Sequence, residues 1–110
     1  MKTLKFKNDL VAEILTGRKT STWRLFDDKD LQVGDELELI NKDTLEKFAE
    51  AKIIEVSEKK IKDLKEKDAV GHGNFEEPNV MLEKFRYYYG DKVDLNTAVM
   101  IIRFQLKKYE

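Results

Sequence analysis

Gly17-Arg18-Lys19-Thr20-Ser21-Thr22-Trp23-Arg24 puts three cations, three hydroxyls and an aromatic ring into one short run. These pieces suit acyl chemistry or the binding of a flat, charged ligand. A threonine hydroxyl attacks a carbonyl only with a base beside it, and a lysine is that base when its amine is neutral. Burial lowers a lysine pKa, and so does a neighbouring cation such as Arg24. Thr22 is then the candidate nucleophile, Lys19 its base, and Arg24 the binder of an anion or a polarised carbonyl. Trp23, the sole tryptophan, could stack on a base. Each residue also has a plain structural use. Gly17 would end a helix, Lys19 would sit at that helix's negative end, and Thr22 is an ordinary strand residue. Arg24 could pair with Asp27 or Asp28, and Trp23 could be core.

Those side chains work together only if the backbone aims them together. In a regular strand Thr22 and Arg24 share one face and Lys19 takes the other. Lys19 must therefore lie in the turn after Gly17, before the strand becomes regular. Leu4 and Phe6, alternating with Lys5 and Lys7, predict a first strand. Asn8 can cap a helix over 9–16 whose apolar stripe is Leu10, Val11, Ile14 and Leu15. A strand over 20–25 and a polar loop over 26–35 follow. Glu36 to Ile40 alternates as a strand, 41–45 carries turn chemistry, and 48–56 returns. A short charged helical segment covers 61–69. Pro78 opens another helix that ends at Gly90, with Met81, Phe85 and Tyr88 on one face and Leu82 and Tyr89 beside it. The last strand, 98–106, is apolar on both faces and is expected to lie centrally. The order β-α-β-β-β-α-α-β lacks the alternation of a parallel α/β sheet. It predicts an α+β fold, with a small, strongly curved, mostly antiparallel sheet or barrel flanked by helices.

Composition narrows the field. A chain of 110 residues suits one domain, and a hydrophobic fraction of 41% can fill a modest core. Net charge is −1, which argues against coating long nucleic acid by charge alone but leaves room for a local basic pocket. The absence of cysteine excludes disulfides and thiolate zinc sites, and a single histidine makes a histidine-based metal site unexpected. No metal and no cofactor are therefore expected. No apolar run approaches membrane-spanning length, and the N-terminus does not read as a signal peptide. The expectation is a cytoplasmic protein without a membrane partner.

Gly17-x-Lys19, then Thr22, then Arg24, directly after an amphipathic helix, resembles the signature of the ASCH domain family. Val33-Gly34-Asp35 before a strand is similar to that family too, as is Tyr87-Tyr88-Tyr89-Gly90 before a final apolar strand. The resemblance covers nearly all of residues 1–110, taken as a single domain. It implies a PUA-like β-barrel and a pocket for a nucleoside, a nucleotide or RNA. Small bacterial members include amidohydrolases that split N4-acetylcytidine into cytidine and acetate. They use a lysine and a threonine spaced as Lys19 and Thr22 are here, plus a glutamate further along the chain. Other relatives are thought to bind RNA, and some are reported to cut it.

That glutamate has no clean owner in this sequence. By the resemblance its place falls on His72, within the run from Asp68 to Glu77. Some relatives carry an acid after such a histidine, where this chain has Gly73. Glu76 could reach back from the glycine-rich loop, and Glu77 could merely cap the helix at Pro78. The leading expectation is an amidohydrolase-like site in which Lys19, Thr22 and Glu76 are catalytic and Arg24, Trp23 and His72 hold the substrate. The alternative is a non-catalytic RNA- or nucleotide-binding module. A third reading is a scaffold domain whose motif only holds a tight junction.

Overall fold

The computed structural model describes residues 1–27, 29–72 and 75–107. Five strands form one curled sheet: β1 (Lys2–Phe6), β2 (Ser21–Arg24), β3 (Glu36–Asn41), β4 (Lys47–Lys60) and β5 (Ala98–Leu106). Their order across the sheet is β1-β3-β4-β5-β2. β1 runs parallel to β3, with Leu4 opposite Leu39, and the other three ladders are antiparallel. The architecture is thus the expected α+β half-barrel with a mostly antiparallel sheet. Register shifts at Leu39/Ile40 and Ile53/Glu55 mark the bends that curl it. Among the described residues no ladder joins β1 to β2. Arg24 spans that seam instead, its Nη2 donating to the Lys5 carbonyl at 2.9 Å.

Two helices flank the sheet, α1 (Asn8–Leu15) and α2 (Pro78–Tyr89). Alternation along β5 divides the core in two. Ile102 and Phe104 pack with Leu4, Phe6, Leu37, Leu39 and Ile53 under α1. Val99 and Ile101 point the other way and pack with Trp23, Leu25, Ile61 and Met81 under α2. β5 is interior to the sheet, as its two apolar faces predict, but sits beside the edge strand β2 rather than at the centre. Among the described residues no helix is long and apolar enough to cross a membrane.

Several local expectations need correction. Asn8 does not cap α1. Lys7 holds the N-cap position without a side-chain bond, and the β3–β4 hairpin caps the helix from outside. The Asn8 amide donates to Asp43 Oδ2 at 2.8 Å, and Asn8 Oδ1 accepts from Asn41 at 2.9 Å. Leu15 is exposed, leaving Ile14 as the buried anchor of α1. β4 runs to Lys60 rather than Val56, and the segment after it is two 3-10 turns, Ile61–Asp63 and Glu66–Ala69, parted by extended Leu64. Tyr88 leaves the apolar face of α2 and is exposed, its hydroxyl accepting from Lys7 Nζ at 2.7 Å. The packed stripe is Met81, Leu82, Phe85 and Tyr89. Pro78 opens α2 as expected, and Glu77 at its N-cap makes no side-chain capping bond.

Candidate functional site

Gly17 ends α1 with φ +81°, and the next three residues form the turn that precedes β2. The amides of Arg18 and Lys19 both fold back onto the Glu13 carbonyl at 3.0 Å. Lys19 therefore escapes the strand's alternation, the condition for it to join Thr22 and Arg24. Its side chain is buried at 6% exposure, and the amine donates to the His72 carbonyl at 3.3 Å. Burial, and then the Arg24 charge, pull the Lys19 pKa down to about 8, with Glu13 opposing them. On the strand, Arg24 Nε donates to Thr22 Oγ1 at 3.2 Å, and its guanidinium carbon lies 5.0 Å from the Phe6 ring centre. Burial lowers the Arg24 pKa as well.

The turn is locked to the segment 70–72. The Gly71 carbonyl accepts from the amides of Thr20 (2.8 Å) and Ser21 (3.1 Å). Arg103 Nη1 donates to the Val70 carbonyl at 2.9 Å, and Ser21 Oγ reaches the same oxygen at 3.5 Å. Gly71 has φ +78°, and a Cβ there would stand 2.1 Å from Thr20 Oγ1. Only glycine fits that approach without displacement. The contact delivers His72 to Trp23. Their rings stack at 4.2 Å with an interplanar angle of 12°. Trp23 is both core and wall, at 7% exposure. Burial, and then the Lys19 charge, drive the His72 pKa down to about 4, so the ring is neutral at pH 7. Among the described residues two buried side-chain polar atoms lack a partner, Trp23 Nε1 and His72 Nδ1, and both belong to this stack.

A cavity of about 420 Å3 opens between β2 and α2, with Trp23, Arg24, His72, Glu76, Phe85 and Tyr89 in its wall. Lys42, from the hairpin, and Lys84 add cations. Lys19 and Thr22 are not lining residues. Each instead holds a residue that is, Lys19 through the His72 carbonyl and Thr22 through Arg24 Nε. The six candidates are therefore gathered at one place but in two layers. Glu76 lines the cavity while ion-paired with Lys84. Arg24 does not form the surface pair considered for Asp27, whose carboxylate is occupied by the amides of Lys29 and Leu31. Asp28, Gly73 and Asn74 lie outside the described residues.

Sequence reasoning missed Gly71, Lys42 and Lys84. Gly71 had a signal, since a glycine between Val70 and His72 marks a close backbone approach. The two lysines had none, because their positions depend on how the hairpin and α2 meet. A second hollow of about 560 Å3 lies at the C-terminal end of α1, between Leu15, Thr16, Lys19 and the far end of β5.

The fold is that of the ASCH domains. An ASCH domain from Lactobacillus crispatus superposes with a TM-score of 0.71 at 16% identity, covering 96% of this chain and 79% of that one. A protein from Enterococcus faecalis of the DUF984 family model gives 0.80 at 13% identity, covering 97% and 76%. An ASCH protein from Zymomonas mobilis gives 0.66 at 10%, covering 98% and 67%. No family model and no curated protein matches the sequence, so the likeness is one of structure.

Proposed function

We propose that this ASCH-fold chain binds a nucleobase-bearing ligand, a nucleoside or nucleotide free or within RNA, in the cavity between β2 and α2. The wall of that cavity carries the reading: the rings of Trp23, His72 and Phe85 beside Arg24, around about 420 Å3. The volume suits a small ligand, and flat rings hold a base by stacking. Arg24 commits Nε and Nη2 to Thr22 and Lys5, while Nη1 has no partner among the described residues. That nitrogen, with Lys42 and Lys84, would meet a phosphate. Isothermal titration with cytidine monophosphate at low salt tests the reading. Saturable binding that Arg24→Ala weakens about 10-fold or more is expected, falling as salt rises. Failure to bind any nucleotide or RNA at low salt would contradict it.

Lys19 supports a second reading, removal of an acyl group from an N4-acylated cytidine. With a pKa of about 8, roughly a tenth of the amine is neutral at pH 7. In that reading Thr22 Oγ1 attacks the acyl carbon and passes its proton to Lys19. The C–N4 bond breaks with protonation of the leaving nitrogen, and water then cleaves the acyl-threonine to acetate. Arg24 would first have to release Thr22, and Glu76 would have to leave Lys84 to take a proton-transfer role. Cytidine release from N4-acetylcytidine is the test. No turnover, or an unchanged rate in Lys19→Ala, ends this reading while leaving ligand binding untouched.

A further inference from the structure

Phe26 lies one residue beyond the strand that carries Trp23 and Arg24, past Leu25, and its backbone is strained. Its φ is +53°, in the left-handed region that bulky residues avoid. Strain of this kind persists where something over-determines it, and it clusters at ligand sites. The usual reward, a buried side chain, is missing here, because the ring is 50% exposed. Leu45 has a comparable φ of +63°, but it closes the β3–β4 hairpin through its amide bond to Asn41. Phe26 makes a T-shaped contact with Tyr89, at 6.0 Å and 69°, and Lys92 Nζ stands 4.3 Å from the ring centre.

A hollow of about 260 Å3 lies against this ring, bordered by Arg24, Asp27, Glu58 and Met100. Arg24 lines both this hollow and the larger cavity, so the two adjoin at that residue. Their chemistry differs. The larger cavity offers Arg24 and Lys42, with Lys84 paired to the one carboxylate there, Glu76, whereas the smaller sets two carboxylates beside Arg24. A phosphate is favoured at Arg24 and disfavoured further into the smaller hollow. A base is suited to it, set against the side of the Phe26 ring that Lys92 does not cover, with its exocyclic amine donating to a carboxylate. Glu58 is exposed and has no partner among the described residues, so it is the available acceptor.

We infer that Phe26 is the platform of a second base subsite, with Arg24 holding the phosphate between the two bases and Glu58 favouring a flanking base that carries an amino group. This rests on the nucleobase reading of the main cavity and narrows it: the ligand is a dinucleotide step or a longer single strand, not a free nucleoside. It also gives the strained backbone a purpose that packing does not.

The experiment compares cytidine monophosphate with ribodinucleotides of cytidine and adenosine, and of cytidine and uridine, in both orders, by titration against the whole protein. The cytidine–adenosine step is expected to bind at least about 10-fold more tightly than the mononucleotide. The uridine step should gain less. Phe26→Gly relieves the strain, so its melting temperature should hold or rise while the dinucleotide advantage disappears and mononucleotide affinity stays. Glu58→Gln should narrow the gap between adenosine and uridine. Equal affinity for mono- and dinucleotides, or an advantage that survives Phe26→Gly, overturns the second subsite alone. No binding of any of these ligands overturns the main-cavity reading, and the subsite with it.

Discussion

The two faces of the sheet are built from the same strands and do different things. Under α1 the core is aliphatic with two packed phenylalanines, Phe6 and Phe104, and no buried side-chain polar atom there lacks a partner among the described residues. Under α2 an aliphatic core surrounds Trp23, the half-buried rings of Phe75, Phe85 and Tyr89 pack against it, a cavity opens, and both unpartnered buried polar atoms lie there, on Trp23 and His72. A buried polar atom without a partner costs about 1–3 kcal/mol. Beside that stack, Lys19 is a cation kept out of water. One face therefore supplies stability, while the other carries costs that stability alone does not explain. Such defects concentrate where a protein needs to bind or react.

The contrast can be broken at its stable side first. Ile53→Ala empties a fully buried site under α1 and is expected to cost about 3–4 kcal/mol by urea denaturation. Ligand affinity under conditions where the variant remains folded should not change. A large loss of affinity would mean that the two faces are not separable.

Gly71→Ala attacks the lock between the turn and the segment 70–72. The left-handed backbone and the approach to Thr20 Oγ1 together predict a loss of about 2–3 kcal/mol. Adding Thr20→Ala should recover the steric share and leave the backbone share. A neutral Gly71→Ala would show that the lock is loose.

Lys19→Met should move the other way. The amine's pKa is about 8 folded against about 10.5 unfolded, so between those values the unfolded chain binds more protons and stability rises with pH. Below pH 8 the wild type bears the full cost of the buried charge. Methionine removes that cost and forfeits one hydrogen bond to His72, for a net gain of about 1–2 kcal/mol at pH 7 that shrinks towards pH 10.5. A destabilised Lys19→Met at neutral pH would make the lysine a structural residue and remove the argument for its chemistry.

His72→Phe gives the smallest change and the sharpest pH signature. The histidine pKa is about 4 folded against about 6.5 unfolded, so wild-type stability falls as pH drops from 6.5 to 4. Because the ring is half-buried, that contribution is about 1–2 kcal/mol at pH 4. Stability curves of the wild type and His72→Phe should therefore diverge across this window. Parallel curves would place His72 in water, away from Trp23.

Much of this was legible in the sequence because it is local. Gly17 announced the left-handed turn, which is what allows Lys19 to leave the strand's alternation. The apolar faces of β5 foretold an interior strand, and Pro78 marked the start of α2. What escaped depends on contacts far along the chain. The α1 cap comes from Asp43, about one-third of the chain away, so the nearby Asn8 misled. Tyr88 obeys helical spacing yet lies outside the packed stripe, its hydroxyl accepting from Lys7 instead. The two-layer site could not be read from spacing at all. Lys19 and His72 meet through a carbonyl, and a backbone oxygen leaves no mark on residue type.

The central claim is that the α2 face, not the α1 groove, receives the ligand, and the single tryptophan reports on it directly. Trp23 fluorescence should change saturably as cytidine monophosphate or a ribodinucleotide is titrated, with the change lost in Arg24→Ala and retained in Leu15→Ala. A flat fluorescence titration with amide shifts confined to the end of α1 would contradict the account.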